Sequence, residues 1–384
     1  MQKREVAILD VGSSKMRILI GERGVNDTFN ILGRGDAAFS GFSDGAFIDE
    51  GELKYAIGLA LSNAETNSGL QIKKLYIGVP AEFSVCECKT ISQNYPKRIK
   101  INDEEIKNLF SKTVNQEIIK NQFLVNSSAV YYVLDDNRRV LDVLGQKTTK
   151  LSALVSNVYA DKDFVSKINA ILQEIGIEEA EYVSSPLAEA QYLLSNEEKD
   201  RFALIVDCGY ISTSVALVRG NGLLLLNSFS LGGGHVAADL SQVLKIPFAE
   251  AENLKNKIIL SVSPEESDCY EIVLSEKTVP VPMKIANSIV SSRVEMIAGL
   301  INKCLSLCKQ DYPEFINVSL TGGGLSYIKG AKDYIAKSIG RNVNLISPKD
   351  PQMNKPHFSS VLGLLDFAIK KNEKKKRRFL ANWF

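Results

Sequence analysis

Apolar and polar positions along this 384-residue chain set out one pattern twice. Residues Val6–Gly24 (VAILDVGSSKMRILIGERG) and Ala203–Gly222 (ALIVDCGYISTSVALVRGNG) each run as an apolar strand, Asp-x-Gly, a hydroxyl-bearing loop, a second apolar strand and a Gly turn. Asp10 and Gly12 answer to Asp207 and Gly209. In the first half, alternating and continuous apolar runs predict strands at Glu5–Leu9, Met16–Glu22 and near Phe29–Arg34. A helix follows from Glu50 to about Ser68, with Leu53, Ile57, Leu61 and Ala64 on one side, and then a strand at Leu75–Val79. A three-strand meander followed by helix and strand is an α/β half-domain.

From Ala81 to Ser156 the pattern changes to strand, helix, strand, turn, strand, and Asn102 with Glu105 three residues on marks a helix start. This reads as a small α+β insert. Helix Lys162–Ile175 and strand Glu179–Val183 return to the first lobe, and helix Leu187–Leu194 crosses toward the second. There the meander recurs, followed by helical stretches at Val236–Lys245, Phe248–Lys257 and Val290–Cys308. Strand Asn317–Leu320, the loop Thr321–Leu325 and helix Ile328–Ile339 close that lobe.

The repeated hairpins carry the candidate chemistry. Each offers backbone N–H groups to phosphate, and each Asp can hold a hydrated metal, so Asp10 and Asp207 are expected to bind a cation through water. In the first loop Gly12 allows close approach, Ser13 and Ser14 supply hydroxyls, and Lys15 offsets phosphate charge. Gly322, Gly323 and Gly324 precede a helix and allow a base or sugar to come near. The duplication makes a nucleotide clamp the preferred reading over two unrelated Asp-Gly turns. Glu252 and Lys255 share a helical face, where a solvated ion pair is the plain reading.

Composition changes the picture little. With 45% hydrophobic and 24% charged residues the chain fits a globular protein of two or three domains, and a net charge of +1 argues against a wholly basic nucleic-acid binder. Six cysteines without a C-x-x-C pair, and only two histidines, do not spell a zinc site. The run VAILDV is cut by Asp10, so no secretory leader is expected, and no segment reaches the ~18 apolar residues of a membrane span. The end of the chain departs from this evenness. Lys370 and Lys371, then Lys374, Lys375, Lys376, Arg377 and Arg378, form a basic cluster followed by Phe379, Leu380, Trp383 and Phe384. On a helix these four apolar residues share a side, which suits a membrane interface. Lys376 projects near that side and would have to snorkel.

Together the hairpins, the LTGGG loop at Leu320–Gly324 and the segment His357–Leu365 (HFSSVLGLL) resemble the actin, Hsp70 and sugar-kinase superfamily. Four details are similar to one branch, the bacterial cell-division family FtsA: the loop Ser230–Asp239 with FAEAENLKNK at Phe248–Lys257; the insert ending VLDVLGQKTTKLSALVSNVYA; the connecting segment SSPLAEAQYLL; and the basic, aromatic tail.

The resemblance implies an α/β, actin-like two-lobed duplicated fold, with an FtsA-type α+β insert subdomain and a helical subdomain in the second lobe. The implied boundaries are 1–80 with 160–198 for the first lobe and 81–159 for the insert. The second lobe takes 199–230 with 310–369, the helical subdomain 231–309, and the tail 370–384. It implies ATP with Mg²⁺ as ligand, contacts from Ser212, Thr213, Gly233 and Leu325, and a ribose grip by Glu252 and Lys255. The implied partners are a second copy in a filament, anionic lipid on the cytoplasmic face of the membrane at the division site, and the C-terminal peptide of FtsZ, received near Lys284, Arg293 and Glu295. Other division proteins are further candidates, and nucleic acid is not expected.

The second hairpin departs from the family pattern: Tyr210 and Ile211 stand where glycines are usual, and an acidic residue is gone. Such a loop must avoid positive φ and stand farther from phosphate, which speaks against tight ATP binding and more against hydrolysis. No catalytic residue is assigned and at most a weak ATPase is expected; Glu189 is a candidate base, read more plainly as a solvated helix residue. A sugar-type kinase, a pilus-assembly-type adapter and a divergent paralogue without nucleotide are the alternatives.

Overall fold

The computed structural model describes residues 5–381 apart from Asp44 and Ser275, with the backbone alone at Asp27, Ser43 and 375–381. The first lobe opens with β1 (Val6–Val11), β2 (Lys15–Arg23) and β3 (Phe29–Ala38), then the two-residue strands β4 (Phe42–Ser43) and β5 (Ala46–Phe47). Helix α1 (Glu50–Ser68) and β6 (Lys74–Val79) follow. Asp49 starts α1 by accepting the N–H of Glu52, and Gly69 ends it at φ 67. The insert comprises β7 (Ser84–Lys100), α2 (Asp103–Ser111), β8 (Gln122–Val133), β9 (Arg139–Val140) and β10 (Lys147–Asp161). Asn102 caps α2 by accepting from the N–H of Glu105. The chain returns through α3 (Lys162–Glu174) and β11 (Glu179–Ser184) to α4 (Ser185–Leu193) and α5 (Asn196–Arg201).

The second lobe repeats the opening with β12 (Ala203–Cys208), β13 (Thr213–Arg219) and β14 (Gly222–Phe229). It continues through α6 (Gly233–Leu244), α7 (Phe248–Lys255), the ribbon β15 (Cys269–Leu274) and β16 (Lys277–Pro282), and α8 (Met283–Ser306). It ends with β17 (Val318–Thr321), α9 (Ala331–Ile339), β18 (Val343–Leu345) and α10 (Ser359–Ala381). Two sequence expectations shift. Helix α8 starts at Met283 rather than Val290, directly after Pro282, which breaks β16. Helix α9 starts at Ala331 rather than Ile328, because Gly330 turns the chain at φ 87.

The two main sheets have the same wiring. The first runs β11-β6-β1-β2-β3 and the second β18-β17-β12-β13-β14. In each, the meander strands pair antiparallel, while β1 pairs parallel with β6 and β12 parallel with β17. All six residues of β1 are buried, as a central strand covered on both faces requires. One face packs on α1 and α3 through Leu9, Ile18, Ile57 and Ile168; the other packs on α10 through Ile8, Leu19, Val361 and Leu365. The insert has its own core of Ile101, Leu109, Tyr132, Leu151 and Val155. Its other face lies against β14, where the Cys86 and Cys88 thiols both bond the carbonyl of Leu223.

Helix α10 runs unbroken through residue 370, where a separate tail was expected to begin. Ala368 and Ile369 are buried, Asp366 pairs with Arg23 and Lys370, and Lys371 pairs with Glu181. Lys374 is exposed. The side chains of Lys375, Lys376, Arg377, Arg378, Phe379 and Leu380 lie outside the described residues, as do Trp383 and Phe384 altogether. Among the described residues no helix is long and apolar enough to cross a membrane.

Candidate nucleotide cleft

The two Asp-Gly hairpins close in the same register. Val11 pairs with Met16 and Cys208 with Thr213, and the Gly N–H in each donates back across the loop, Gly12 to Lys15 O at 3.1 Å and Gly209 to Ser212 O at 2.8 Å. Position for position, Ser13 answers to Tyr210, Ser14 to Ile211, Lys15 to Ser212 and Arg17 to Ser214. Tyr210 and Ile211 keep negative φ, as their Cβ atoms require. The hairpin tips meet, with the N–H of Ile211 donating to Ser13 Oγ at 3.2 Å. Around them lies a cleft of about 640 Å³, within the size range of small-molecule sites.

Most of the expected residues line this cleft. Asp10, Gly12, Ser13, Ser14 and Lys15 come from the first lobe; Asp207, Gly209 and Ser212 from the second hairpin; Glu252 and Lys255 from α7; Gly322 and Gly323 from the loop after β17. Four do not. Thr213 is fully buried and its hydroxyl donates to Leu231 O, so strand alternation puts Ser212 and Ser214 toward the cleft instead. Leu325 belongs to the second-lobe core. Gly233 and Gly324 pack on each other: a Cβ on Gly233 would sit 2.5 Å from the Gly324 Cα. Gly324 therefore brings backbone to backbone, while Gly322 and Gly323 border the cleft. Gly322, at φ 86, lies where a Cβ would be 2.0 Å from the Asp207 carboxylate.

Charge is distributed unevenly. Lys15 is exposed at the cleft, and Arg17 bonds Asp36 at 3.0 Å and the carbonyl of His357 at 2.7 Å. Asp10 accepts from Ser360 Oγ at 2.7 Å; burial raises its pKa, against the opposing pull of Arg17 and that hydrogen bond. Asp207 is pushed up by burial, then by Asp10 and Glu82, and Glu82 is itself raised by burial and hydrogen-bonded by Ser212. Glu189 corrects the solvated-helix reading. It is 2% exposed and lines the cleft, and one carboxylate oxygen has no hydrogen-bond partner among the described residues. Burial, then Asp207 and Asp10, raise its pKa well above the usual range. Beside the first hairpin, burial and then Arg17 and Lys15 lower His357 to about 4.

Lys255 and Glu252 form a partly buried pair, not a solvated one. Lys255 is 4% exposed and bonds Glu252 at 2.8 Å and Gly233 O at 3.2 Å. Tyr210 hydrogen-bonds Glu252, and its ring lies 5.8 Å from the Lys255 ammonium. On α8, Arg293 is held in a fork by Asp239 at 2.6 and 2.7 Å, Lys284 pairs with Glu266, and Glu295 is exposed. The residue reading missed Ser360, Glu82 and Arg17. The first two come from elements distant in sequence; Arg17 carried a signal, since it sits two residues beyond Lys15 on the same strand.

Among the described residues, no group of three or more His, Cys, Asp or Glu side chains could hold a bare metal ion. Asp10 is close enough to Asp207 to raise its pKa. That donor set fits a hydrated divalent cation carried by a phosphate ligand rather than a protein-caged one.

Two sheets of identical wiring, each presenting an Asp-Gly hairpin to a shared cleft, define an actin-like protein. Solved structures of that fold agree. The PilM–PilN type IV pilus biogenesis complex matches with a TM-score of 0.63 over 95% of this chain and 98% of that one, at 15% identity. MreB5 of Spiroplasma citri bound to AMPPNP matches with a TM-score of 0.57 over the whole of both chains, at 12% identity. Within this class the chain is similar to the cell division protein FtsA. The FtsA family model matches residues 204–363. FtsA of Enterococcus hirae is 26% identical over 95% of this chain and 83% of its own length. FtsA of Neisseria meningitidis serogroup B is 25% identical over 96% and 91%.

Proposed function

We propose that this protein is an actin-like, nucleotide-binding adapter of cell division that self-associates, attaches to the cytoplasmic face of the membrane at the division site through its C-terminal tail, and receives the C-terminal peptide of FtsZ. The observation that carries the reading is the facing pair of hairpins around one cleft, in a chain similar to FtsA over most of its length. The MreB5 neighbours, which are bound to AMPPNP and ADP, support a nucleotide as ligand.

The residues divide the work. Lys15 with Ser13 and Ser14 receives phosphate, and Glu252 with Lys255 approaches the ribose hydroxyls. Asp10 and Asp207 hold the hydrated Mg²⁺, which when bound offsets phosphate charge. Ser360, at the first turn of α10, keeps the Asp10 carboxylate oriented. The same helix leads without a break from the cleft through Ala381, so the basic residues continue the body on one helix. Each Lys or Arg near anionic lipid is worth ~1 kcal/mol, and assembly multiplies weak binding by avidity. On α8, exposed Ile285 and Met296 offer apolar contact to an acidic, apolar peptide, and Lys284 and Arg293 offer cations where the peptide replaces Glu266 and Asp239, with Glu295 exposed on the same helix.

Co-sedimentation with anionic liposomes tests the reading, comparing the full chain with a version ending at Lys371, with and without Mg-ATP. Pelleting of the full chain alone is the expected result; if neither version pellets under any condition, the membrane role fails. The likeness to the PilM–PilN complex supports a second reading, an adapter for a pilus-type assembly. Retention of an FtsZ tail peptide by the full chain favours the division role, and its absence favours the other.

A further inference from the structure

The two hairpins share a backbone but not a chemistry. The first presents exposed Lys15, with Arg17 behind it held by Asp36 and the His357 carbonyl; the matched positions of the second are Ser212 and Ser214, both neutral. The walls differ in the same sense. Ser212 is engaged by the Glu82 carboxylate, Asp207 on β12 pairs with Ser214 just as Asp10 pairs with Arg17, and Glu189 comes up from α4 with an oxygen that has no partner among the described residues. Two backbone donors of the second hairpin are occupied, the Gly209 one just as Gly12 is in the first. Ile211 gives its N–H to Ser13 and Gly209 gives its N–H to Ser212 O. The first N–H groups of α6, a natural anion site, are capped by the hairpin's own carbonyls, Gly233 to Gly209 O at 2.9 Å and Gly234 to Tyr210 O at 2.7 Å. Tyr210 covers the Glu252–Lys255 pair, so the nearest cation on that side is held by two carbonyl or carboxylate partners.

We infer that phosphate is gripped by the first hairpin alone, so that the cleft takes a nucleoside diphosphate as readily as a triphosphate and reports whether it is filled rather than how many phosphates its ligand carries. A third phosphate meets no cation on the second hairpin, where the Ser214 hydroxyl is the side-chain donor facing the cleft, and it must part the Ser13–Ile211 contact to pass between the hairpin tips. It also brings negative charge toward the buried carboxyl groups of Asp207, Glu82 and Glu189, which offer it no positive charge and whose ionisation it further disfavours. The hydrated cation that offsets these carboxylates accompanies both nucleotides, so it does not discriminate between them. A base and ribose common to both set the remaining affinity.

This inference rests on the nucleotide reading above, and titration calorimetry of the full chain with the Mg²⁺ complexes of AMP, ADP, ATP and AMPPNP separates the two. ADP, ATP and AMPPNP are expected to bind within about threefold of one another, with AMP at least tenfold weaker. Lys15→Ala is expected to weaken ADP and ATP by the same factor. If ATP and AMPPNP bind tenfold or more tightly than ADP, or if Lys15→Ala changes ADP and ATP affinities unequally, the one-sided grip is wrong while the nucleotide reading stands. If none of the four binds, both are overturned.

Discussion

Gly233→Ala and Gly299→Ala are the same chemical change at two places where the packing predicts opposite outcomes. Gly233 opens α6, and a Cβ there would lie 2.5 Å from Gly324 Cα, 2.6 Å from its O and 2.9 Å from its carbonyl carbon. Ordinary contact begins near 3.4 Å, so one backbone must retreat by about 0.9 Å from another, with no flexible side chain to yield. Overpacking of this kind costs about 1–3 kcal/mol. The alanine returns ~0.4–1 kcal/mol by restricting the unfolded chain, leaving a net loss of about 1–2 kcal/mol. Gly299 lies inside α8 with nothing within 4 Å of its Cβ position, so alanine there stabilises by about 0.5–1 kcal/mol. For a lobe of ordinary size, each kcal/mol moves the thermal midpoint by ~2–4 °C. Differential scanning fluorimetry of both variants beside the parent, in the absence of nucleotide, is expected to show Gly233→Ala lower by a few degrees and Gly299→Ala slightly higher. A Gly233→Ala midpoint within 1 °C of the parent would refute the close backbone packing that shapes this side of the cleft.

Three further outcomes follow from the charges. The folded protein holds His357 neutral down to about pH 4, whereas the unfolded chain protonates it near 6.5. The unfolded state therefore takes up the extra proton in that window, and the stability of the parent relative to His357→Gln is expected to fall as pH drops from 6.5 toward 4; parallel pH profiles would remove the argument. Glu189 has the opposite sense, since its raised pKa keeps the folded state protonated where the unfolded carboxyl ionises. Its burial costs more as pH rises above the ordinary value of 4.5, so without metal Glu189→Gln should raise the midpoint more at pH 8 than at pH 5, and an equal gain at both counts against it. Arg293→Ala strips Asp239 of a two-pronged partner and is expected to cost about 1.5–3 kcal/mol in urea unfolding, whereas Lys284→Ala, losing a pair exposed on both sides, costs under ~0.5 kcal/mol. A cost under ~0.5 kcal/mol for Arg293→Ala as well would show that the fork carries no stability.

The order of elements, the duplication and the position of both Asp-Gly loops are properties of the sequence by itself. They rest on local causes: β1 is apolar without interruption because both its faces are covered, α1 begins at Asp49 and stops at Gly69 through caps, and the meanders turn where Gly permits. Which side chains face the cleft was settled only in three dimensions. Thr213 and Ser214 look equivalent in sequence, but the residue at which β13 begins fixes the alternation that sends one inward and the other to the cleft. Glu189 reads as a solvated helix carboxylate until α4 is laid beneath both hairpins, where burial and the charges of Asp207 and Asp10 change its protonation. Ser360 reaches Asp10 from the far end of the chain, and Gly324 of the LTGGG loop serves packing against α6 and β12. Hydrophobic periodicity and turn chemistry act over a few residues and are written along the chain. Desolvation, ion pairing and backbone contact depend on neighbours brought from hundreds of residues away, so only the tertiary structure could decide them.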